Sequence, residues 1–295
     1  MSDCSTCGSQ QFCHSFVEDA DGVNPRADEW LPPADGVEIG AIVAVTGAKG
    51  GVGVSMLVSG LALKAVQAGL RVGVLDADIG SPDIPAVFGA TEGMSAPDDN
   101  FIPVTTENGI KIMSYANFMT EPAEPMLWGN GMMAAIAEQF WTSVEWGKLD
   151  LLLIDLPAGG GDVTLTLAKI LPIDAVLLVT TAEPHTLVRA EQTRNMFDNL
   201  RVPVYGMIVN VGATRGEPGD PRTAAVRMGL GDMVSIAEQS DLNRACQNQT
   251  LSDYEITDQL NAPWSMIDEI IEATLDCARK SGADMDETKT EEGEP

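Results

Sequence analysis

Positive charge is what this sequence has least of. Its 295 residues carry 17 lysines and arginines against 44 aspartates and glutamates, a formal net charge of −27. So acidic a surface repels nucleic acid and anionic membrane, and neither is expected as a partner. It repels free ATP as well, so any nucleotide site needs local compensation. Histidine is almost missing. His14 and His185 are the only two, and His185, opening a helix after Glu183-Pro184, reads as a surface residue rather than a catalytic base. Cysteine is scarce and uneven: Cys4, Cys7 and Cys13 crowd into the first thirteen residues, while Cys246 and Cys277 stand apart. An odd number, in a chain opening without a basic or apolar leader, argues against a disulfide framework and for a metal site or free thiols. No apolar run is long enough to span a bilayer. The expected setting is the cytoplasm.

What is present falls into three parts. Residues 1–35 show no helical or strand period and form a cysteine-bearing arm and linker. Residues 281–295 form an acidic tail expected to be disordered. Between them, residues 36–280 alternate apolar strands with amphipathic helices, the pattern of an α/β fold with a mostly parallel, twisted sheet and helices on both faces. Strands are expected at 41–46, 70–75, 109–114, 149–154, 175–180, 204–209 and 233–236. Helices are expected at 54–68, 84–88, 132–141, 162–170 (with Asp162 as its cap), 185–199 and 263–279. The last helix is expected to bury Trp264, Ile267, Ile270, Ile271 and Leu275.

The stretch with the most chemistry is Gly47-Ala48-Lys49-Gly50-Gly51-Val52-Gly53-Val54-Ser55. A buried strand, a glycine-rich turn and a helix start match the phosphate-binding loop G-x-x-x-x-G-K-S/T, in which backbone N–H groups at a helix N-terminus hold an anion. Gly47 and Gly53 take the glycine positions and Ser55 the hydroxyl that ligates Mg²⁺, but Val54 stands where the pattern has lysine. Asp76, Asp78, Asp155 and Asn210 each follow an apolar strand, so all lie on the carboxyl rim of the sheet, where such folds bind ligands. A turn cap is the plain alternative for Asp155. Its place after Leu151-Leu152-Leu153-Ile154 fits a metal-side acid better.

Taken together, Ala48–Gly53, Asp76-Ala77-Asp78-Ile79, Ile154-Asp155-Leu156-Pro157, Gly161-Asp162-Val163-Thr164-Leu165-Thr166 and Val209-Asn210 resemble the Mrp/Nbp35 family of deviant-Walker P-loop ATPases, which carry iron–sulfur clusters. The resemblance covers roughly residues 37–275. It implies bound ATP with Mg²⁺ on Gly47, Gly50, Gly51, Val52, Gly53, Val54 and Ser55, with Ser55 and Asp76 as magnesium ligands. It implies Lys49 as the signature lysine that reaches the phosphates of a neighbouring subunit, and Asp78 as the water-activating residue. Asp155 is implied as the Mg²⁺-side acid and Asn210 as an adenine contact. Cys4-x2-Cys7-x5-Cys13 is similar to the last three cysteines of the Nbp35 branch's N-terminal motif and implies iron–sulfur ligation, with [4Fe-4S] the expected cluster. The fourth ligand is open between His14, a partner chain and a small thiol. Zinc with His14 and an arm of free thiols remain alternatives.

Two departures bear on function. The family's Cys-x-x-Cys pair, which bridges a cluster across a homodimer, has no counterpart in Val211-Gly212-Ala213-Thr214-Arg215-Gly216. The missing P-loop lysine leaves phosphate charge without its close cation, a cost of about 3–5 kcal/mol in a dry site, or ~200-fold to several-thousand-fold in affinity. The expected function is therefore an ATP-binding iron–sulfur cluster carrier or scaffold with weakened or lost hydrolysis, a homodimer or a heterodimer with a related ATPase, serving iron–sulfur client proteins. The alternative is a pseudo-ATPase interaction subunit that lends Lys49 to a fully equipped relative.

Overall fold

The computed structural model describes residues 30–91, 93, 100–119, 130–215, 217–237, 239–256 and 258–288, with side chains left aside at 130, 259 and 277–288. Eight strands form one sheet. In chain order they are β1 (Glu38–Gly47), β2 (Val72–Asp76), β3 (Val104–Thr105), β4 (Lys111–Ser114), β5 (Lys148–Leu156), β6 (Ala175–Thr180), β7 (Val204–Asn210) and β8 (Asp232–Ile236). Their spatial order is β3-β4-β2-β5-β1-β6-β7-β8. Every pairing is parallel except β3 with β4 at one edge. The expected mostly parallel α/β sheet is thus what forms. Its edge hairpin partner, Val104–Thr105, is not legible in the sequence, because two residues carry no period.

The strand at the centre shows why the chain folds this way. In β1, Ala41, Val43 and Val45 pack into one apolar cluster while Ile42 and Ala44 pack into another on the opposite face. Period-2 alternation with both sets apolar needs helices on both sides. The first face takes α1 (Val54–Gln67), α2 (Ile84–Val87), α7 (Ser240–Gln247) and α8 (Asn261–Thr288). The second takes α3 (Asn130–Thr142), α4 (Asp162–Ile170), α5 (Pro184–Asn199) and, beside β7, α6 (Pro221–Arg227).

Local details depart from expectation. Asp162 is the first helical residue of α4, not its cap; Gly161 occupies the cap position and no side chain bonds there. On α8, Ile267, Ile270 and Ile271 are buried and Trp264 is half-buried, but Leu275 is 41% exposed because the helix outruns the sheet it covers. Helical backbone continues to Thr288, into the stretch expected as tail. The short helices α6 and α7 are additions to the expected set: α6 has its apolar face limited to Ala224 and Ala225, too weak a pattern to read. Among the described residues, no helix is long and apolar enough to cross a membrane. The described chain enters at the amino ends of the strands, where the Leu31 N–H donates to the Ile170 carbonyl and Trp141 Nε1 donates to the Leu31 carbonyl.

Candidate nucleotide site at the strand carboxyl ends

The loop after β1 is built for an anion. Gly51 and Gly53 have φ of +76° and +94°, values that glycine reaches without strain. Gly53 caps α1, whose first turn holds no acidic residue, so the helix's unpaired N–H groups and positive dipole end face the rim. Three distant contacts hold the loop in place. The Ala48 N–H donates to the Val179 carbonyl, the Gly159 N–H to the Gly47 carbonyl, and Thr46 Oγ1 to the Pro157 carbonyl at 3.1 Å. Val54 is half-buried and packs against the apolar cluster under α1, so nothing cationic enters the loop at that position.

The acids gather beside it. Asp76 and Asp155 are direct cross-strand partners on β2 and β5, both buried. Asp76 Oδ2 accepts from Ser114 Oγ at 2.8 Å and from the Ile84 N–H at 3.3 Å, while Oδ1 has no partner among the described residues. Burial, then the charge of Asp155, pushes the Asp76 carboxyl well above the usual range. Burial also raises Asp155 to about 7, against a lowering hydrogen bond from Ser55, and its Oδ2 is likewise unpartnered there. Asp78 is half-buried and pushed upward by burial and by Asp83. No three His, Cys, Asp or Glu side chains among the described residues converge as a metal cage. The orphaned acid oxygens with the Ser55 hydroxyl instead suit a hard cation that shares its shell with water and phosphate, the usual habit of Mg²⁺.

Lys49 is not extended. Its Nζ donates to Glu183 at 2.8 Å. Glu183 also accepts from Thr186 Oγ1 at 3.0 Å, from the Arg215 N–H at 2.5 Å and from the Thr181 hydroxyl. These contacts, that of Lys49 first, hold its carboxyl down to about 2. Glu183 thus ties the glycine loop to the loop after β7. No sequence motif singles it out, although it follows β6 as the other acids follow their strands.

Asn210 is spent within the protein. Its Nδ2 donates to the Val52 carbonyl at 2.9 Å and its Oδ1 accepts from the Ala213 N–H at 3.2 Å. It nevertheless lines a cavity of about 190 Å³ with Gly51, Gly53, Arg215, Gln239 and Asn243. Cys4, Cys7, Cys13 and His14 lie outside the described residues. Cys246 is half-buried, its thiol pushed to about 11 by burial, and so behaves as a small apolar side chain.

A parallel sheet with a glycine loop leading into a helix at its central strand, and acids on the same rim, defines a P-loop NTPase. The family model "ParA: NUBPL iron-transfer P-loop NTPase" matches residues 38–256. The chain is 35% identical over 211 residues to an iron-sulfur cluster carrier protein of Methanococcus maripaludis, covering 71% of each. It is 30% identical over 274 residues to one of Clostridium perfringens, covering 86% of this chain and 95% of that one. In structure it is similar to a nucleotide-binding protein of Archaeoglobus fulgidus solved with ADP, at 29% identity and a TM-score of 0.61, covering 74% and 90%. The chain belongs to this iron-transfer P-loop NTPase family, as the motifs implied.

Proposed function

We propose that this chain is an iron–sulfur cluster carrier whose nucleotide site binds ATP weakly and turns it over slowly or not at all. The observation that carries the second half is Val54 packed into the apolar cluster at the lysine position of a loop whose backbone cradle is otherwise complete. The first half draws on the relatives' names and on Cys4, Cys7 and Cys13, with the cluster, [4Fe-4S], as cargo. Gly47, Gly50, Gly51, Val52, Gly53 and Val54 line the phosphate loop, and Ser55 and Asp155, with Asp76 behind them, would hold Mg²⁺. Bound Mg²⁺ supplies neutralisation of phosphate charge. Asp78, its carboxyl made more basic by burial and by Asp83, is the candidate proton acceptor for water. Iron–sulfur client proteins are the expected partners.

Anaerobic reconstitution with iron and sulfide tests the carrier reading. The full chain should gain cluster absorbance, and replacing Cys4, Cys7 and Cys13 by serine should abolish it. Equal absorbance in both proteins would sink it.

A second reading has its own observation. Lys49 survives on the rim, about one third exposed in its Glu183 pair, while Val54 stands at the loop's other lysine position. That arrangement suits a subunit lending Lys49 to a homologous ATPase. Sedimentation of the chain with ATP, alone and with such a relative, separates homodimer from heterodimer; a monomer under both conditions removes this reading.

A further inference from the structure

A second cavity, of about 370 Å³, lies at the other end of the sheet from the glycine loop. Residues 30–33 form one wall, and Ile39, Ile42, Trp141 and Pro172 form the rest, so no charged side chain lines it. The first wall is pinned in place: the Leu31 N–H donates to the Ile170 carbonyl, and Trp141 Nε1 donates to the Leu31 carbonyl at 2.8 Å. Along β1, Ile39 stands about 25 Å from Gly47, where the phosphate loop begins. Covering so apolar a cavity is favourable for any side chain that reaches it.

The order of the chain singles out an occupant. Residues 1–29 lie outside the described residues, and they join the described chain at Trp30, on the cavity's own wall. Their largest adjacent apolar pair is Phe16-Val17. Between that pair and Trp30 come Glu18, Asp19, Asp21, Asp28 and Glu29, which an apolar cavity cannot take without partners. Phe12 adjoins Cys13, so burying it would bury that thiol as well, whereas Phe16 stands three residues further on. Thirteen residues separate Phe16 from Trp30, a tether of at most about 45 Å, ample for the chain to turn back. A tether of this length gives an effective concentration on the order of millimolar, above that of a free partner at micromolar levels.

We infer that this cavity is the seat of Phe16 of the same chain. Seating Phe16 holds Cys13, and with it Cys4 and Cys7, at the amino ends of the strands, the pole away from the glycine loop. The docking itself needs no cluster. It rests on the proposed carrier function only in what it adds, namely where the cysteine arm is held.

The test is photo-cross-linking of the full, iron-free chain in reductant, with p-benzoylphenylalanine at position 16 and an equal amount of a nitrogen-15-labelled copy present. Cross-links within one chain to Ile39, Trp141 or Pro172 are expected. Cross-links between light and heavy chains would seat a second copy's arm there and overturn the inference, as would cross-links elsewhere or none. Titration with the neutral apolar dye Nile red gives a second measurement. Phe16→Asp should bind the dye roughly 10- to 100-fold more tightly than the native chain, because the seated phenylalanine no longer competes. Equal dye affinity overturns the inference as well. Either failure, in a chain that still gains cluster absorbance on reconstitution, leaves the carrier reading standing.

Discussion

Asp76 and Asp155 stand side by side on adjacent parallel strands, both buried, each with one carboxylate oxygen that has no hydrogen-bond partner among the described residues. Like charges at that spacing cannot both be comfortable. The pair is therefore a pH-sensitive element at the head of the sheet.

For Asp155 the sign is definite. Its folded-state carboxyl is raised from 3.8 to about 7, so between these values the folded state holds more protons than the unfolded one. Stability is full below about pH 4 and lost as the pH rises through about 7. In EDTA, Asp155→Asn should therefore raise the melting temperature at pH 8 by ~3–10 °C and by only about a third as much at pH 5. Thermal scans at the two pH values decide it; a rise at pH 5 as large as that at pH 8 would rule out titration as the cause.

The Lys49–Glu183 pair carries the opposite sign. Glu183 is held from 4.5 down to about 2, so its contribution is present above about pH 4.5 and fades as the pH falls toward 2. Lys49→Met should cost about 1–3 kcal/mol at pH 7 and shift acid unfolding to higher pH. Combined with Glu183→Gln, the two changes should be non-additive by ~0.5–3 kcal/mol. Urea titrations of the four proteins measure this, and strict additivity would show that the two side chains are uncoupled.

Restoring the missing cation should restore phosphate affinity. Val54→Lys is expected to tighten Mg-ATP binding by ~200-fold or more. Val54 is only half-buried, so the loss of packing should stay below about 1.5 kcal/mol. Calorimetry reports both affinity and folding, and unchanged affinity in a folded variant would mean that another group already supplies the charge.

At Gly53 a methyl group does harm in two ways, through the backbone and through a close contact. Its φ is +94°, and an added Cβ would lie 2.9 Å from Asn210 Nδ2. Gly53→Ala should cost about 1–2 kcal/mol from backbone strain alone. It should also weaken nucleotide binding further, by displacing Asn210 from the Val52 carbonyl. A melting curve superimposable on the native one would contradict this.

Much of the architecture is legible in the sequence because it is local. The run Ala41-Ile42-Val43-Ala44-Val45 can only be a strand covered on both faces, and Gly53 ahead of a helical period can only be a loop-to-helix turn. A position just past an apolar strand is enough to set Asp76, Asp78, Asp155 and Asn210 on one edge of the sheet. Glu183 and Gln239 occupy equivalent positions after β6 and β8, but neither belongs to a motif, so their part in the rim shows only in the fold. Asp162 falls one residue inside its expected position because acids favour both the cap and the first turn.

By itself, then, the amino-acid order determined the strands, the glycine loop, the missing lysine and the family, since each is written in residues close along the chain. Only the tertiary structure decided which strands are neighbours. That choice set Asp76 against Asp155, closed Lys49 onto a glutamate 134 residues away, consumed both ends of Asn210 and left Gln239 Oε1 unpaired among the described residues. The physical reason is that helix and strand periods report which face of an element is buried. They are silent on the strand order and register through which distant groups meet.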